Sequence, residues 1–108
     1  NRQGIEIKND QVFKKTGNLF ISVARDYGYK EHPSGIYKDQ SWLYVIGDVD
    51  CFYIFAVKHL KQVYEVNDLP LFNGFKTPKG GTEKGYLLSR KNADKFCIQK
   101  VTSQTKLF

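Results

Sequence analysis

Apolar residues recur at every second position in residues 4–8, near the start of the chain. Ile5 and Ile7 alternate there with the charged Glu6 and Lys8, which is the period of a strand with one buried face. We therefore expect the isoleucines to be buried and the charged side chains to share the solvent-facing side.

Turn residues divide much of the remaining chain into short segments. Residues 9–15 are polar and, with the turn at 16–18, lead to a second apolar run that we expect to pair antiparallel with the first strand. Two runs rich in β-branched and aromatic residues flank the turn at 47–50 and predict a hairpin. The predicted elements are strands at 4–8, 19–24, 42–46, 51–57, 85–88 and 97–101, a helix at 58–65 and a helical turn capped by Ser89 at 89–96.

Two long segments lack this patterning. Residues 25–40 and 71–85 are rich in polar residues or glycine, which predicts loops, and the first is expected to be mobile. The resulting order predicts an α+β fold, with a mixed, mostly antiparallel sheet and one or two helices packed on it.

A length of 108 residues fits a single domain, residues 1–108. The absence of Met, with Asn at position 1, indicates a chain trimmed at its N-terminus.

Charge and cysteine content narrow the classes of partner and site. The net charge of +6 favours a polyanionic partner, either nucleic acid (DNA, or alternatively RNA) or an acidic surface. Cys51 and Cys97 are too few for a structural zinc site and are expected to be buried free thiols, with a disulfide as the alternative. No run of eighteen apolar residues predicts a membrane span, and no leader pattern is present, so we expect an intracellular, cytoplasmic protein.

A charged row at the first strand could carry chemistry. Glu6, Lys8 and Asp10 should point the same way, with neighbours about 6–7 Å apart. Glu6 and Asp10 could bind Mg²⁺ as oxygen ligands, and Lys8 could polarise the attacking water beside a phosphate. The alternative is an exposed strand face whose charges pair weakly.

A longer series of motifs favours the metal-site interpretation over an exposed strand face. The series runs from E-I-K-x-D at 6–10 through T-G-N at 16–18 and P-S-G-I at 33–36 to a strand near Trp42, then to G-Y-L-L at 85–88. It resembles small phage-type nucleases of the PD-(D/E)XK class over residues 5–46, and more weakly to residue 90. The resemblance implies Mg²⁺-dependent endonuclease activity on DNA phosphodiesters, in the host cytoplasm for a phage-encoded protein.

The sequence departs from that family at its expected acidic position. Ser22 and Ala24 stand where the strand after T-G-N should carry a carboxylate and then a lysine. In one alignment Asp10 is the first metal ligand and the E-x-K pair is lost. In the other, Glu6 and Lys8 are that pair and a further acid lies upstream. The candidate catalytic residues are therefore Glu6, Lys8, Asp10 and Ser22, and Ser22 predicts impaired activity under either alignment.

Basic residues in the predicted loops suit contacts with phosphates. The candidate DNA-binding residues are Lys14, Lys15, Lys38, Lys76 and Lys79. A non-catalytic module on the same scaffold, which binds nucleic acid or inhibits a protein partner, is the alternative to a nuclease. A homo-oligomer is compatible with either function.

Overall fold

Two sheets form the framework of the protein. The structure is a computed structural model, which describes residues 4–10, 12–38 and 41–102. The strands are β1 (Ile5–Asn9), β2 (Asn18–Asp26), β3 (Glu31–Pro33), β4 (Leu43–Gly47), β5 (Cys51–Ala56), β6 (Phe72–Lys76), β7 (Thr82–Ser89) and β8 (Gln99–Thr102). The helices are α1 (Phe13–Thr16), α2 (Val57–Asn67) and α3 (Arg90–Phe96), with a 3₁₀ turn at Gly35–Tyr37.

The strand order of the sheets is β1-β4-β5-β8 and β3-β2-β7-β6. Only β1 and β4 run parallel among the described strand pairs; the others are antiparallel. The α+β class and the mixed, mostly antiparallel pairing are therefore as predicted. The expected single sheet is instead two four-stranded sheets.

The core combines buried side chains from both sheets, from α2 and from the shorter helical segments. Leu19 and Ile21 of β2 are fully buried, and their neighbours across the β2–β7 ladder, Leu88 and Tyr86, are buried with them. The Tyr86 hydroxyl donates to the Leu60 carbonyl of α2 at 2.9 Å, so its polar atom is satisfied inside the core. Burial of this phenol raises its pKa.

The hairpin and both longer helices agree with the predictions. Strands β4 and β5 pair antiparallel around the predicted turn. Helix α2 buries Leu60 and Val63 and ends where Asp68 takes a left-handed conformation, with φ of 48°. Helix α3 begins after Ser89, whose hydroxyl accepts the Asn92 N–H at 3.2 Å, and this satisfies one amide that lacks a partner within the helix.

The predictions for β1 were wrong in both pairing and orientation. β1 pairs parallel with β4, whereas β2 lies in the other sheet. Ile5 and Ile7 are 57% and 73% exposed, while Glu6 and Lys8 stand in register with the buried Tyr44 and Ile46. The alternation identified which residues share a face. It assigned the wrong face to the interior, because Lys8 on the other face of this edge strand borders an open cavity rather than a packed core.

Both predicted long loops contain regular structure. The segment 25–40 holds the end of β2, β3 and the 3₁₀ turn, and its residues 39 and 40 lie outside the described part of the chain. The segment 71–85 holds β6 and the first half of β7. The polar connection at 9–15 also contains the start of α1, whose Phe13 is buried. Tertiary packing outweighed local composition in each segment.

Cys51 and Cys97 are partly buried free thiols, and burial raises the pKa of Cys97. Over the described ranges, no helix has the length and apolar character needed to cross a membrane.

Candidate functional site

A cavity of about 620 Å³ opens between the end of β1, the middle of β2 and the β6–β7 hairpin. We call it the central cavity. Residues far apart in sequence contribute to its wall. Its polar and charged lining residues are Lys8, Asn9, Asp10, Thr16, Asn18, Ser22, Arg25, Ser34, Asn73, Thr77 and Glu83.

Three of the four predicted catalytic residues line this cavity: Lys8, Asp10 and Ser22. Glu6 is not among the lining residues, and its carboxylate pairs with Lys8 Nζ at 3.1 Å. Both side chains of that pair are partly exposed. The salt bridge therefore lies at the edge of the central cavity.

The Asp10 carboxylate is held by backbone amides. Its Oδ1 accepts the N–H groups of Val12 at 3.1 Å and Phe13 at 3.2 Å, and its Oδ2 accepts the Phe20 N–H at 2.9 Å. These bonds join the end of β1 to α1 and β2. Asp10 thus has a structural role that the sequence analysis did not anticipate, in addition to its place in the cavity wall.

Ser22 lies beneath the segment that carries the P-S-G-I motif. It is 7% exposed, and a Cβ placed on Gly35 would lie 2.1 Å from the Ser22 carbonyl oxygen. Gly35 also has φ of +54°, where a side chain is strained. The next strand residue, Val23, accepts the Ser34 N–H at 3.0 Å. Glycine at position 35 thus lets this segment pack directly on β2.

A buried carboxylate, Glu83, was missed by the sequence analysis. Glu83 is 2% exposed, and its Oε2 pairs with Arg25 Nε at 2.6 Å. The Ser34 hydroxyl donates to the same carboxylate, at 2.9 Å from Oε1 and 3.1 Å from Oε2. The hydrogen bond to Glu83, followed by one to Tyr27, raises the pKa of Arg25. Charge pairing and hydrogen bonding compensate for burial of the carboxylate.

Little in the sequence marked Glu83 as a site residue. It lies in a segment whose glycines predict a loop, and only the alternation of β7 indicates that it shares a face with Leu87. Its partner Arg25 stands opposite it in the β2–β7 ladder. This contact is visible only once β2 and β7 are known to be neighbours.

The five predicted DNA-binding lysines occupy different environments. Lys14 forms a salt bridge with Asp50, and this hydrogen bond raises the pKa of Lys14. Lys15 is exposed at the end of α1, and Lys76 and Lys79 are exposed on the β6–β7 hairpin beside the central cavity. Lys38 lines a neighbouring cavity.

The acidic groups do not form a complete set of metal ligands. Within residues 4–10, 12–38 and 41–102, no group of three or more His, Cys, Asp and Glu side chains could hold a metal ion. Asp10 is occupied by amides, Glu83 by Arg25 and Ser34, and Glu6 by Lys8. This donor set does not fit Mg²⁺, which prefers near-octahedral oxygen coordination.

Comparisons of the chain with protein families, with curated proteins and with solved structures found no match.

Proposed function

We propose that this chain is a nucleic-acid-binding domain of the PD-(D/E)XK nuclease type, with a cleavage centre impaired at Ser22. The supporting observation is that Lys8 and Asp10, which belong to one motif, meet Ser22 of β2 around one cavity. This is the arrangement expected if the family resemblance reflects a common site.

The charge distribution supports binding of a phosphate backbone. Arg25 is balanced by Glu83, and Lys8 by Glu6, so the cavity wall itself has little net charge. Exposed lysines near it, including Lys76, contribute to the net charge of +6. Such lysines neutralise phosphates without reading bases, so the expected binding is weak, salt-dependent and insensitive to sequence.

Cleavage is proposed to be poor because position 22 supplies no carboxylate. A serine hydroxyl is a neutral and weak ligand for a hard cation. Ser22 lines the central cavity together with Asp10, but it is only 7% exposed and packs against Gly35. Ser22→Glu adds an oxygen donor to this wall only if the folded protein accommodates the longer side chain, so its folding is measured together with its activity.

A second candidate is a purely binding module that does not cleave even when this acid is restored. The observation that favours it is the engagement of Asp10 and Glu83 in structural hydrogen bonds. Under this alternative the carboxylates stabilise the fold, and the lysines alone provide the function.

Nicking of supercoiled plasmid in millimolar Mg²⁺ separates the two candidates. The proteins to compare are the unaltered chain, Ser22→Glu and Gln62→Glu, which adds the same charge on an exposed position of α2. Mg²⁺ binding is measured in parallel by calorimetry, and folding by circular dichroism.

The nuclease-type proposal expects nicking and Mg²⁺ binding to rise together in Ser22→Glu alone. A folded Ser22→Glu protein that binds no Mg²⁺ and cuts no DNA would leave only the binding module. If the unaltered chain does not bind DNA, both candidates are wrong.

A further inference from the structure

A second cavity of about 480 Å³ adjoins the central cavity and shares Arg25 and Ser34 with it. We call it the aromatic cavity. The lining residues that matter for its chemistry are Arg25, Tyr27, Tyr29, His32, Tyr37 and Lys38.

The turn between β2 and β3 presents one of these rings to solvent. The Tyr27 N–H donates to the Lys30 carbonyl at 2.9 Å, and Asp26 Oδ1 accepts the Gly28 N–H at 2.8 Å. Gly28 adopts φ of 95°, which glycine allows without strain. Tyr29, at the tip of this hydrogen-bonded turn, is 85% exposed. Its ring contributes little to the core and remains accessible to a ligand.

The other rings form a wall behind Tyr29. The Tyr27 ring centroid lies 6.5 Å from that of Tyr29 and 5.3 Å from that of His32. On the opposite side, the Tyr37 hydroxyl donates to Glu65, and Lys61 Nζ lies 5.2 Å from the Tyr37 ring. Several aromatic side chains therefore converge on one small volume.

The aromatic cavity has a slight positive charge. Lys38 contributes a cation, Arg25 is balanced by Glu83, and none of the described lining residues is Asp or Glu. Flat rings offer stacking surfaces to nucleobases of any sequence, and adjacent cations track the phosphates. This combination suits an unpaired nucleotide more closely than a duplex, in which the base faces are already stacked on one another.

Arg25 connects the two cavities. It pairs with Glu83 in the central cavity, and it also lines the aromatic cavity together with Tyr27. A strand whose bases occupy the aromatic cavity would therefore bring its phosphates to the entrance of the central cavity.

We infer that the aromatic cavity binds unpaired bases of a nucleic-acid strand whose backbone enters the central cavity. This inference rests on the proposed function and names its substrate class: nucleic acid that contains a single-stranded segment. Blunt duplex binds through the exposed lysines alone and hence more weakly.

The experiment measures fluorescence anisotropy with three labelled DNAs: a blunt duplex, the same duplex with a single-stranded overhang, and the single strand. The variants are Tyr29→Ala, which removes the ring, and Tyr29→Phe, which keeps it. Trp42→Ala is the matched control, because Trp42 is an exposed aromatic residue that lines neither cavity.

We expect the unaltered chain to bind the overhang and the single strand more tightly than the blunt duplex. Tyr29→Ala should weaken binding of these two DNAs about tenfold, as expected for loss of one stacked base. Its affinity for blunt duplex should not change. Tyr29→Phe and Trp42→Ala should behave like the unaltered chain.

Equal affinity for all three DNAs, or an equal loss on all three in Tyr29→Ala, would overturn this inference while leaving phosphate binding by the lysines in place. No binding to any of the DNAs would overturn the inference together with the proposed function.

Discussion

Removal of Arg25 should destabilise the protein by leaving a carboxylate buried without its cation. In Arg25→Met, Glu83 keeps only the Ser34 hydroxyl as a partner, although its side chain is almost wholly buried. Breaking a buried pair in this way costs about 3–5 kcal/mol, and the partial exposure of Arg25 favours the lower end. A loss of about 3 kcal/mol lowers the melting temperature of a domain of this size by about 12–24 °C.

Removal of the carboxylate instead of the guanidinium should cost less stability. Glu83→Leu leaves Arg25 without a partner, but the partly exposed guanidinium can be hydrated. The double variant Arg25→Met/Glu83→Leu leaves no buried charge, and replacement of a buried ion pair by apolar residues is often neutral or stabilising. We therefore expect the double variant to recover most of the stability lost in Arg25→Met.

Urea unfolding near pH 7.5 measures these differences for the unaltered chain, Arg25→Met, Glu83→Leu and the double variant. A cost below about 1 kcal/mol, or a double variant no more stable than Arg25→Met, would refute the reasoning.

Three further predictions concern the supports of the site and one exposed ion pair. Asp10→Asn keeps one acceptor oxygen but sets an amide group against a backbone N–H, so thermal melts should show a loss of about 2 kcal/mol; an unchanged melting temperature would contradict the structural role of Asp10. Gly35→Ala should cost about 3 kcal/mol or more in urea unfolding, because the added Cβ meets the Ser22 backbone at a positive φ; a cost near zero would rule out this close packing. The hydrogen bond from Lys100 lowers the pKa of Asp94, so this pair stabilises the fold above the unfolded-state pKa and loses its effect as pH falls through the lower folded value. Urea unfolding of Asp94→Asn should show a loss below about 1 kcal/mol near pH 7 that disappears near pH 2, and a loss independent of pH would contradict the assignment.

The elements best predicted from the sequence are those with a strong local pattern. The β4–β5 hairpin combines two runs of aromatic and β-branched residues with a short turn, and α2 has helical spacing at Leu60 and Val63. The predictions failed where polar residues or glycines occur inside strands. β6 and the start of β7 contain Gly74, Gly85 and several polar residues, a composition that predicts a loop. In the structure the two glycines instead allow close approach to residues of the neighbouring β2.

The candidate site was predictable only where motifs lie close together in the chain. The motif series pointed to Lys8, Asp10 and Ser22, and these residues line one cavity. Glu83 could not be added from its own neighbourhood, because its partners Arg25 and Ser34 are distant in sequence. The position of Glu6 and Lys8 beside the buried Tyr44 and Ile46 likewise depends on the parallel pairing of β1 with β4.

The salt dependence of duplex DNA binding tests the central claim most directly, since the lysines around the cavities are proposed to neutralise phosphates. Lys14 is paired with Asp50, which leaves Lys15, Lys38, Lys76 and Lys79 from the predicted set. Four such contacts predict a slope of log Kobs against log salt of about −3.6, with micromolar or weaker affinity at physiological salt.

The measurement compares the unaltered chain with Lys76→Gln/Lys79→Gln and with Lys91→Gln, whose exposed lysine on α3 lines neither cavity. We predict that the double variant reduces the magnitude of the slope by about 2 and that Lys91→Gln leaves it unchanged. Affinity that does not change between low and high salt, or an equal effect per lysine in both variants, would contradict nucleic-acid binding at these cavities.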